Sequence, residues 1–419
     1  RRHVGAVGLQ QSAVMGDGGQ HLGGTFGAFV GHGTAKAQIH ALLHQPGGVI
    51  GAATVAVQEK DVPISLAYHE AKEEQAPLLS TLVSNIDYIA LETIDATLGD
   101  YFYLTLLDEY IIADTSTGCH LFNLKNGKYI RTIGMIGDQS PMGYSTCTDP
   151  PYAVKNEILL KGFDKKFKVF SINEGKLLKT LPGEEDLKSD LMYDVIFPLN
   201  DSTMLLYSNN LLGVNKYNLQ VRTYEGHILK EFPSTNCFQK KQNILCKMAN
   251  EGEFYSYNND VYMHEFTSDT IFQIDKELNL HPYYILDLKG ALPAPDCREM
   301  NNWKSHYVIF GDIVETDRYL ILERSSFYSY GCIYDKMLKK TIRINREKEN
   351  NGFINDIDGV FPFWPQSRGR GTSSNKVWQM VSAESFLKYA NSKNRKLFQK
   401  TIHEEDNPIV IIGTIKEEE

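Results

Sequence analysis

The sequence has few cysteines and tryptophans and none of the short motifs that define the common enzyme classes. Of its 419 residues, six are Cys and three are Trp. The chain contains no G-x-G-x-x-G, G-x-x-x-x-G-K-[ST], G-x-S-x-G, H-E-x-x-H or C-x-x-C pattern. These absences exclude the usual dinucleotide-binding, P-loop, α/β-hydrolase, zincin and zinc-ribbon sites. The six cysteines are scattered, which predicts free thiols; the alternative is a local disulfide between Cys237 and Cys246, which alone are close enough in sequence to suggest one.

An excess of positive charge is also missing. The chain has 43 Lys and Arg residues against 52 Asp and Glu residues, a formal net charge of −9. Nucleic acids and acidic membrane surfaces attract clustered basic residues, so neither is expected as a partner. The uncharged window 37–58 contains His, Gln, Pro and Gly residues. This composition is too polar for a transmembrane helix.

The first 60 residues differ in composition from the rest of the chain. They contain 13 of the 33 Gly residues and no Tyr, Trp, Cys or Asn. Their apolar residues do not form a secretory signal with a basic start and a small-residue cleavage site. We therefore interpret residues 1–65 as an unstructured or non-native extension, and we expect the folded domain over residues 80–418.

The rest of the chain repeats at a nearly fixed interval. Tight polar turns centred on Gly127, Gly175 and Gly226 are 48 and 51 residues apart. Turns without Gly follow at 276–279 and 335–339. Between the turns lie short runs of β-branched and aromatic residues, which are typical of strands. Four strands in about 50 residues predict a propeller blade.

Counting the repeats predicts an all-β fold, a six-bladed β-propeller with terminal strand closure. The last unit offers three strands, at 359–364, 376–380 and 408–415, where four are needed. The segment 85–91 precedes the first blade and has the alternating pattern of a strand. We expect it to pair outside 408–415, because this pairing completes the ring and covers an open sheet edge.

Several segments carry a family resemblance. The run YIIAD at 110–114, followed by HLFNLKNGKYIRTIG at 120–134, resembles an NHL-type propeller repeat. The chain also resembles an uncharacterised six-bladed propeller family abundant in Bacteroidales. The segments that carry this resemblance are the first repeat, NDIDG at 355–359, FWP at 363–365 and NPIVII at 407–412. The resemblance covers about residues 80–418. It implies a periplasmic or cell-surface protein, often a lipoprotein, and it implies no activity because members generally lack an assigned one.

The longer connections all fall on one face of the expected propeller. They are 134–151, 209–219, 233–250, 289–305, 325–331 and 383–407. Loops on a rigid scaffold commonly carry binding residues, and these loops hold the aromatic and cationic types favoured in recognition. The candidate ligand-binding residues are Tyr144, Arg298, Trp303, Arg324, Tyr328 and Tyr330. The alternative is that these side chains only pack the loops onto the blades.

Two classes of function fit these observations. The first is a non-catalytic extracytoplasmic binding or scaffolding propeller, with an extracellular glycan, peptide or protein as its partner and no cofactor. The alternative is a propeller hydrolase or lyase that holds a divalent metal such as Ca²⁺ in the central channel. Asp194, Asp312 and Glu315 lie on or beside predicted inner strands, and they are the candidate ligands for that metal.

Overall fold

The computed structural model describes most of the chain after Val62. The described residues are 63–93, 98, 102–107, 109–145, 152–154, 156–182, 194–235, 237–239, 251–299, 307–324, 330–346, 351–366, 375–389 and 402–417. Residues 1–62 of the predicted extension 1–65 lie outside them, so their state stays a prediction, whereas Ile64 and Ser65 pair with blade 4 and belong to the fold.

The described residues form six small sheets arranged in a ring, which confirms the predicted six-bladed β-propeller. Each of the first three blades is a four-stranded antiparallel sheet, counted here from the innermost strand outward. Blade 1 contains Phe102–Leu106, Tyr110–Thr115, Cys119–Asn123 and Tyr129–Ile133. Blade 2 contains Tyr152–Val154, Glu157–Lys161, Phe167–Ser171 and Leu177–Leu181. Blade 3 contains Val195–Pro198, Thr203–Tyr207, Tyr217–Thr223 and Ile228–Pro233.

The next two blades follow the same order and carry a short additional strand at the outer edge. Blade 4 contains Gly252–Tyr257, Asp260–Glu265, Thr270–Ile274 and Leu280–Ile285, with Ile64–Ser65 added in parallel outside it. Blade 5 contains Phe310–Glu315, Tyr319–Arg324, Tyr330–Asp335 and Lys340–Asn345, with Lys72–Glu73 added in parallel outside it.

Blade 6 joins the two ends of the folded chain. Its strands are Lys376–Val381, Ile409–Ile415 and Val83–Ala90, in that order outward. Ile89 pairs with Val410 in the antiparallel register, so the N-terminal strand lies outside the C-terminal one. The predicted terminal closure is therefore confirmed, and each backbone ladder bond across it links residues more than 300 positions apart.

The innermost position of blade 6 differs from the prediction. The segment 359–364 was expected to form a strand, and that expectation is wrong. The structure has only isolated bridges there, between Phe353 and Phe363 and between Gln366 and Trp378. The physical reason is local. Gly359 has a φ of 69°, which is not a strand conformation, and Pro362 and Pro365 have no N–H group to donate a hydrogen bond to a neighbouring strand.

Residues 63–82 form a strap that crosses the outer edges of blades 4 and 5 before entering blade 6. After its two short parallel strands, the strap is fixed to blade 6 by Ser80, whose N–H donates to Asp356 Oδ1 at 2.9 Å. Leu66 and Leu79 of the strap are fully buried. The described fold therefore begins at Pro63, ahead of residue 80, where the sequence predicted the propeller to begin.

Buried apolar side chains hold neighbouring blades together. Phe122 of blade 1 and Trp378 of blade 6 belong to one buried cluster, and Leu121 and Phe170 belong to another between blades 1 and 2. Full burial of a side chain such as Phe or Leu contributes about 1.5–3 kcal/mol, so these clusters stabilise the contacts between neighbouring blades.

The hairpins and the helices are short. Gly127, Gly175 and Gly226 have φ values of 68°, 71° and 98°, which only glycine adopts without strain at the repeated turns. The helices of the described residues are Ala294–Cys297 and Ala383–Tyr389, with 3₁₀ turns at Tyr68–Glu70 and Leu79–Thr81. None of these helices has the length and hydropathy that a membrane span requires.

Candidate functional site

A small pocket lies between blades 3 and 4, on the face that carries the longer loops. We call it the interblade pocket and this face the long-loop face. The pocket has a volume of about 10 Å³, which is room for about one water molecule. Its lining combines carboxylates, amides, a guanidinium group and aromatic rings. The lining residues are Tyr207, Asn210, Asn218, Phe238, Glu251, Glu265, Phe266, Thr267, Ala294 and Arg298.

Arg298 and Glu251 form a buried ion pair in this pocket. Arg298 Nη1 and Nη2 donate to Glu251 Oε1 and Oε2 at 2.5 and 2.6 Å, and the side chains are 7% and 4% exposed. Burial lowers the pKa of Arg298, but the charge and hydrogen bonds of Glu251 raise it further, so the net pKa is raised. The bidentate geometry fixes both groups in one orientation.

Glu265 is the second buried carboxylate of the interblade pocket. Its Oε1 accepts hydrogen bonds from Tyr207 Oη at 2.9 Å and from Asn218 Nδ2 at 2.6 Å. Burial and the nearby charges of Glu265 and Glu251 raise the pKa of Tyr207 well above its usual value. Tyr207 therefore remains a neutral hydrogen-bond donor at physiological pH.

The ends of the strands position these groups. Tyr207 and Glu265 each end the second strand of their blades, and Glu251 directly precedes the inner strand Gly252–Tyr257. In a propeller, all of these positions reach the same face. Gly252 leaves room for the neighbouring ring, because a Cβ there would lie 2.6 Å from Tyr207 Cδ1. The pocket is therefore set by blade geometry together with one glycine.

Exposed apolar side chains lie beside the pocket. Leu212 and Val214, in the loop after the second strand of blade 3, are 47% and 69% exposed. Between them, Gly213 has a φ of 75°, and a Cβ on it would lie 2.2 Å from the Phe238 carbonyl oxygen. This close packing connects the exposed loop to the pocket wall. Leu212 and Val214 therefore form an exposed apolar rim beside the polar pocket on the long-loop face.

The structure distributes the predicted ligand-binding residues over several blades. Arg298 lies in the interblade pocket. Arg324 ends a strand of blade 5, and the half-buried Tyr330 begins the next strand of that blade, so the two flank one loop. Trp303 and Tyr328 lie outside the described residues, and their roles stay predictions.

Tyr144 is not displayed on a loop surface as the sequence predicted. Its side chain is fully buried, its ring packs edge-on against Phe170, and its hydroxyl accepts a hydrogen bond from the Cys119 N–H at 2.7 Å. Tyr144 therefore follows the alternative interpretation of the sequence, in which the side chain packs its loop onto the blades. The reason is that Gly143–Tyr144 pairs with Met135–Ile136, which folds the loop back onto blades 1 and 2.

The three candidate metal ligands have different surroundings. Asp194 Oδ2 accepts the N–H of Asn209 at 2.6 Å, and this bond fixes the loop after the second strand of blade 3. Asp312 lies within the inner strand of blade 5 and is 2% exposed. Among the described residues, no group of three or more His, Cys, Asp or Glu side chains could hold a metal ion. In this part of the chain the three carboxylates are therefore not assembled as a metal site.

Glu315 belongs to a tyrosine cluster between blades 4 and 5. Its carboxylate accepts hydrogen bonds from Tyr255 Oη at 2.8 Å and Tyr284 Oη at 2.9 Å, and from Lys336 Nζ at 2.7 Å. Lys336 Nζ also lies 4.2 Å from the ring centroid of Tyr257. The Glu315 side chain is fully buried. A carboxylate engaged by these donors is a structural anchor of the two blades.

Sequence reasoning identified Arg298 but not the groups that surround it. Glu251, Glu265, Tyr207 and Asn218 come from two blades and meet only because those blades are adjacent in the ring. One signal was available: Asp194 and Glu251 each directly precede an inner strand. A carboxylate at this repeated position marks the start of the inner strand on the long-loop face.

The ring of six sheets and its terminal closure define this chain as a six-bladed β-propeller. Residues 62–414 match the family model "Domain of unknown function (DUF4934)". The chain belongs to this family. The sequence matches no curated protein.

Solved structures are similar to this chain at low sequence identity. One is a protein of Bacteroides fragilis NCTC 9343, provisionally named an exported protein, with 15% identity and a TM-score of 0.63 over 85% of this chain and 99% of that one. A second is a member of the DUF4221 family from Bacteroides vulgatus ATCC 8482, with 11% identity and a TM-score of 0.46 over 82% of this chain and 99% of that one.

Proposed function

We propose that this protein is an extracytoplasmic binding protein, and that a glycan binds on the long-loop face over the interblade pocket, which is itself too small to admit a sugar ring. The observation that carries the proposal is the pocket itself: buried hydrogen-bonding groups held in fixed positions beside aromatic rings. Glu265, Tyr207 and Asn218 present acceptors and donors in a bonded array. Phe238 and Phe266 line the same pocket. Sugars combine hydroxyl groups with apolar ring faces, and this lining complements both.

Binding rather than catalysis is proposed because both carboxylates of the pocket are engaged. Arg298 holds Glu251 through two hydrogen bonds, and Tyr207 and Asn218 hold Glu265. Carboxylates arranged in this way act as oriented acceptors and not as an acid and base pair. The extracytoplasmic location is supported by the resemblance to the Bacteroidales propellers and by the name of the Bacteroides fragilis protein of the same fold.

A glycan array with the full chain tests this proposal. We expect Tyr207→Phe to weaken the binding of any glycan found by about 1 kcal/mol, or about fivefold, because the substitution keeps the ring but removes the hydroxyl that holds the Glu265 carboxylate in position. Tyr224→Phe is the matched control. Tyr224 lies in the hairpin after the third strand of blade 3, and its hydroxyl donates to the Asn200 carbonyl oxygen at 3.3 Å, away from the pocket lining.

Two outcomes would contradict the proposal. One is that glycans bind equally well to the parent and to Tyr207→Phe while both proteins remain folded. The other is that the array shows no bound glycan and a peptide array shows ligands whose binding depends on Tyr207, which would make the ligand a peptide.

A further inference from the structure

A larger cavity lies elsewhere on the long-loop face, between the loop that connects blade 1 to blade 2 and the hairpin at 162–166 of blade 2. Its volume is about 320 Å³, within the range of about 300–1,000 Å³ that is usual for ligand sites. It shares no lining residue with the interblade pocket. We call it the blade 2 pocket, and its lining includes Asp138, Ser140, Gly143, Phe163, Asp164 and Lys168.

The loop wall of the blade 2 pocket is held in one conformation by its own backbone. The Gly143 N–H donates to the Ser140 carbonyl oxygen at 2.7 Å, and the Gly137 N–H donates to the Tyr144 carbonyl oxygen at 3.1 Å. Gly143 permits this tight turn, because a Cβ on it would overlap the Gly137 carbonyl oxygen. The buried ring of Tyr144 anchors the same loop against Phe170 of blade 2. This wall therefore has a fixed shape.

Two further hydrogen bonds join the loop wall to blade 2. The Ser145 N–H donates to the Lys161 carbonyl oxygen at 2.9 Å, at the start of the hairpin. Lys168 Nζ donates to the Gly143 carbonyl oxygen at 2.7 Å. Walls that are fixed to each other lose little conformational freedom when a ligand binds, so more of the interaction energy remains for affinity.

Lys168 places a buried cation where the two walls meet. Its side chain is 5% exposed, and its Nζ lies 3.4 Å from Asp164 Oδ2 in addition to its bond with the Gly143 carbonyl oxygen. Gly143 and Asp164 both line the pocket, on the loop wall and on the hairpin wall. An ammonium group carries three N–H donors, and the described residues supply acceptors for two of them.

The charges of the blade 2 pocket leave it slightly negative. Asp138 of the loop wall and Asp164 of the hairpin wall are both exposed, and together with Lys168 they give a formal balance of −1. Exposed carboxylates accept hydrogen bonds from the hydroxyl groups of a ligand. The negative balance disfavours an anionic ligand, because like charges in contact are costly.

An exposed aromatic side chain completes the lining. Phe163, next to Asp164 in the hairpin wall, is 55% exposed. A sugar ring has apolar C–H faces that pack on aromatic rings, and its hydroxyl groups are both donors and acceptors. The blade 2 pocket offers an aromatic ring, acceptors of two carboxylates and a buried ammonium donor within one small cavity. This combination suits a neutral sugar.

We propose that the blade 2 pocket binds one neutral sugar ring. The apolar face of the ring packs on Phe163, its hydroxyl groups donate to Asp138 and Asp164, and one hydroxyl oxygen accepts the third N–H of Lys168. This site is separate from the one proposed over the interblade pocket, because the two share no lining residue. It stands or fails independently of that proposal.

The test uses the full chain and two forms of each probe. The probes are the methyl glycosides of glucose, galactose and mannose, and the comparison forms are the corresponding uronic acids, which carry a carboxylate in place of the hydroxymethyl group. Titration by ligand-observed NMR at low ionic strength is expected to show that at least one neutral glycoside binds. Its uronic acid should bind about fivefold more weakly, since the pocket carboxylates repel the added charge. Asp138→Asn should reduce this difference.

Phe163 supplies the second variant of the test. Phe163→Ala should weaken the binding of the neutral glycoside about fivefold, because the stacking surface is lost, and Phe163→Trp should retain it. Leu178→Ala is the matched control. Leu178 is an apolar side chain of the same blade that is 53% exposed and does not line the pocket, so its loss should leave the affinity unchanged. Thermal melts establish that each variant is folded.

Tyr207→Phe separates the two proposed sites, because it should leave binding that depends on Phe163 unchanged. The proposal is overturned if no neutral glycoside binds at millimolar concentration, if Phe163→Ala binds like the parent, or if the uronic acids bind as tightly as the neutral forms. Binding that depends on Tyr207 and not on Phe163 would also overturn it, while supporting the site over the interblade pocket.

Discussion

Gly127 lies directly against the backbone of Ala90. A Cβ atom on Gly127 would be 2.1 Å from the Ala90 carbonyl oxygen, and the Glu92 N–H donates to the Gly127 carbonyl oxygen at 2.8 Å. The hairpin of blade 1 thus packs on the end of the strand that closes blade 6. Gly127 is therefore both the glycine of a repeated hairpin turn and a contact with the strand that closes the ring.

Substitution of Gly127 should therefore be costly. Gly127→Ala is expected to lower the free energy of unfolding by about 2–4 kcal/mol, because it adds a clash with backbone to a positive φ. Gly359→Ala is the control: Gly359 has a similar φ of 69°, but the nearest atom to its Cβ would be 4.0 Å away. Urea unfolding should show a loss of only about 1 kcal/mol for this control. Equal losses for the two variants would show that packing against Ala90 is unimportant.

Removal of the C-terminal strand tests the terminal closure. A chain that stops at Asn407 lacks Ile409–Ile415, which is the partner of both Val83–Ala90 and Lys376–Val381. We expect aggregation or loss of cooperative unfolding, because two sheet edges are opened. A chain that stops at Lys416 keeps the strand and should behave like the parent in light scattering and thermal melts. A sharp, monomeric transition for the shorter chain would contradict this role of the closure.

Two deletions distinguish the strap from the sequence that precedes it. Removal of residues 1–62 is expected to leave the thermal midpoint within a few degrees, in keeping with the prediction that this segment is not part of the fold. Removal of residues 1–75 also takes away Leu66, Tyr68 and both parallel strands, which are buried against or paired with blades 4 and 5. Calorimetry should show a clearly lower midpoint for that chain. Similar midpoints for the two deletions would mean that the strap adds no stability.

His264 should make stability depend on pH. It is fully buried in blade 4, its Nε2–H donates to the Ser268 carbonyl oxygen at 3.1 Å, and burial lowers its pKa from 6.5 to about 4. The unfolded chain binds a proton at this residue below pH 6.5, whereas the folded chain does so only near pH 4. Stability contributed by the neutral ring is therefore present above pH 6.5 and is lost as the pH falls from 6.5 to 4.

The loss over this pH interval should be about 2–3 kcal/mol. His264→Gln is expected to flatten the profile of unfolding free energy between pH 4 and 6.5, whatever its effect at pH 7. His227 is exposed, so His227→Gln serves as the control and should keep the slope of the parent. An unchanged slope in His264→Gln would show that other groups set the pH dependence; His120, whose pKa is also lowered by burial, is the next candidate.

The buried ion pair changes what is expected of Arg298. On sequence grounds, Arg298 was a candidate ligand-binding residue. Since Arg298 neutralises the 4% exposed side chain of Glu251, Arg298→Ala is expected to lower the free energy of unfolding by about 3–5 kcal/mol, because it removes the countercharge of a buried carboxylate. The double variant Arg298→Met with Glu251→Leu removes both charges and should recover most of the loss in urea unfolding. A double variant as unstable as the single one would contradict this account.

The sequence by itself determined the class of fold. The near-50-residue spacing of Gly127, Gly175 and Gly226 and the short strand-like runs between them follow from local backbone chemistry, which does not need tertiary contacts. The closure of blade 6 was also predictable. The C-terminal repeat lacks one strand and an additional strand precedes the first repeat, so pairing these two ends completes the ring.

Tertiary structure alone decided the candidate sites and the details of the last blade. Tyr144 carries no local signal of whether it packs or binds, and the fold of its loop decided that it is buried. Glu251 and Arg298 are 47 residues apart in the chain and meet only in the folded propeller. Whether such residues come into contact depends on the angles between neighbouring blades. Those angles are set by the packing of many side chains together. A one-dimensional pattern specifies the strands, but contacts between sheets depend on the geometry of the whole ring.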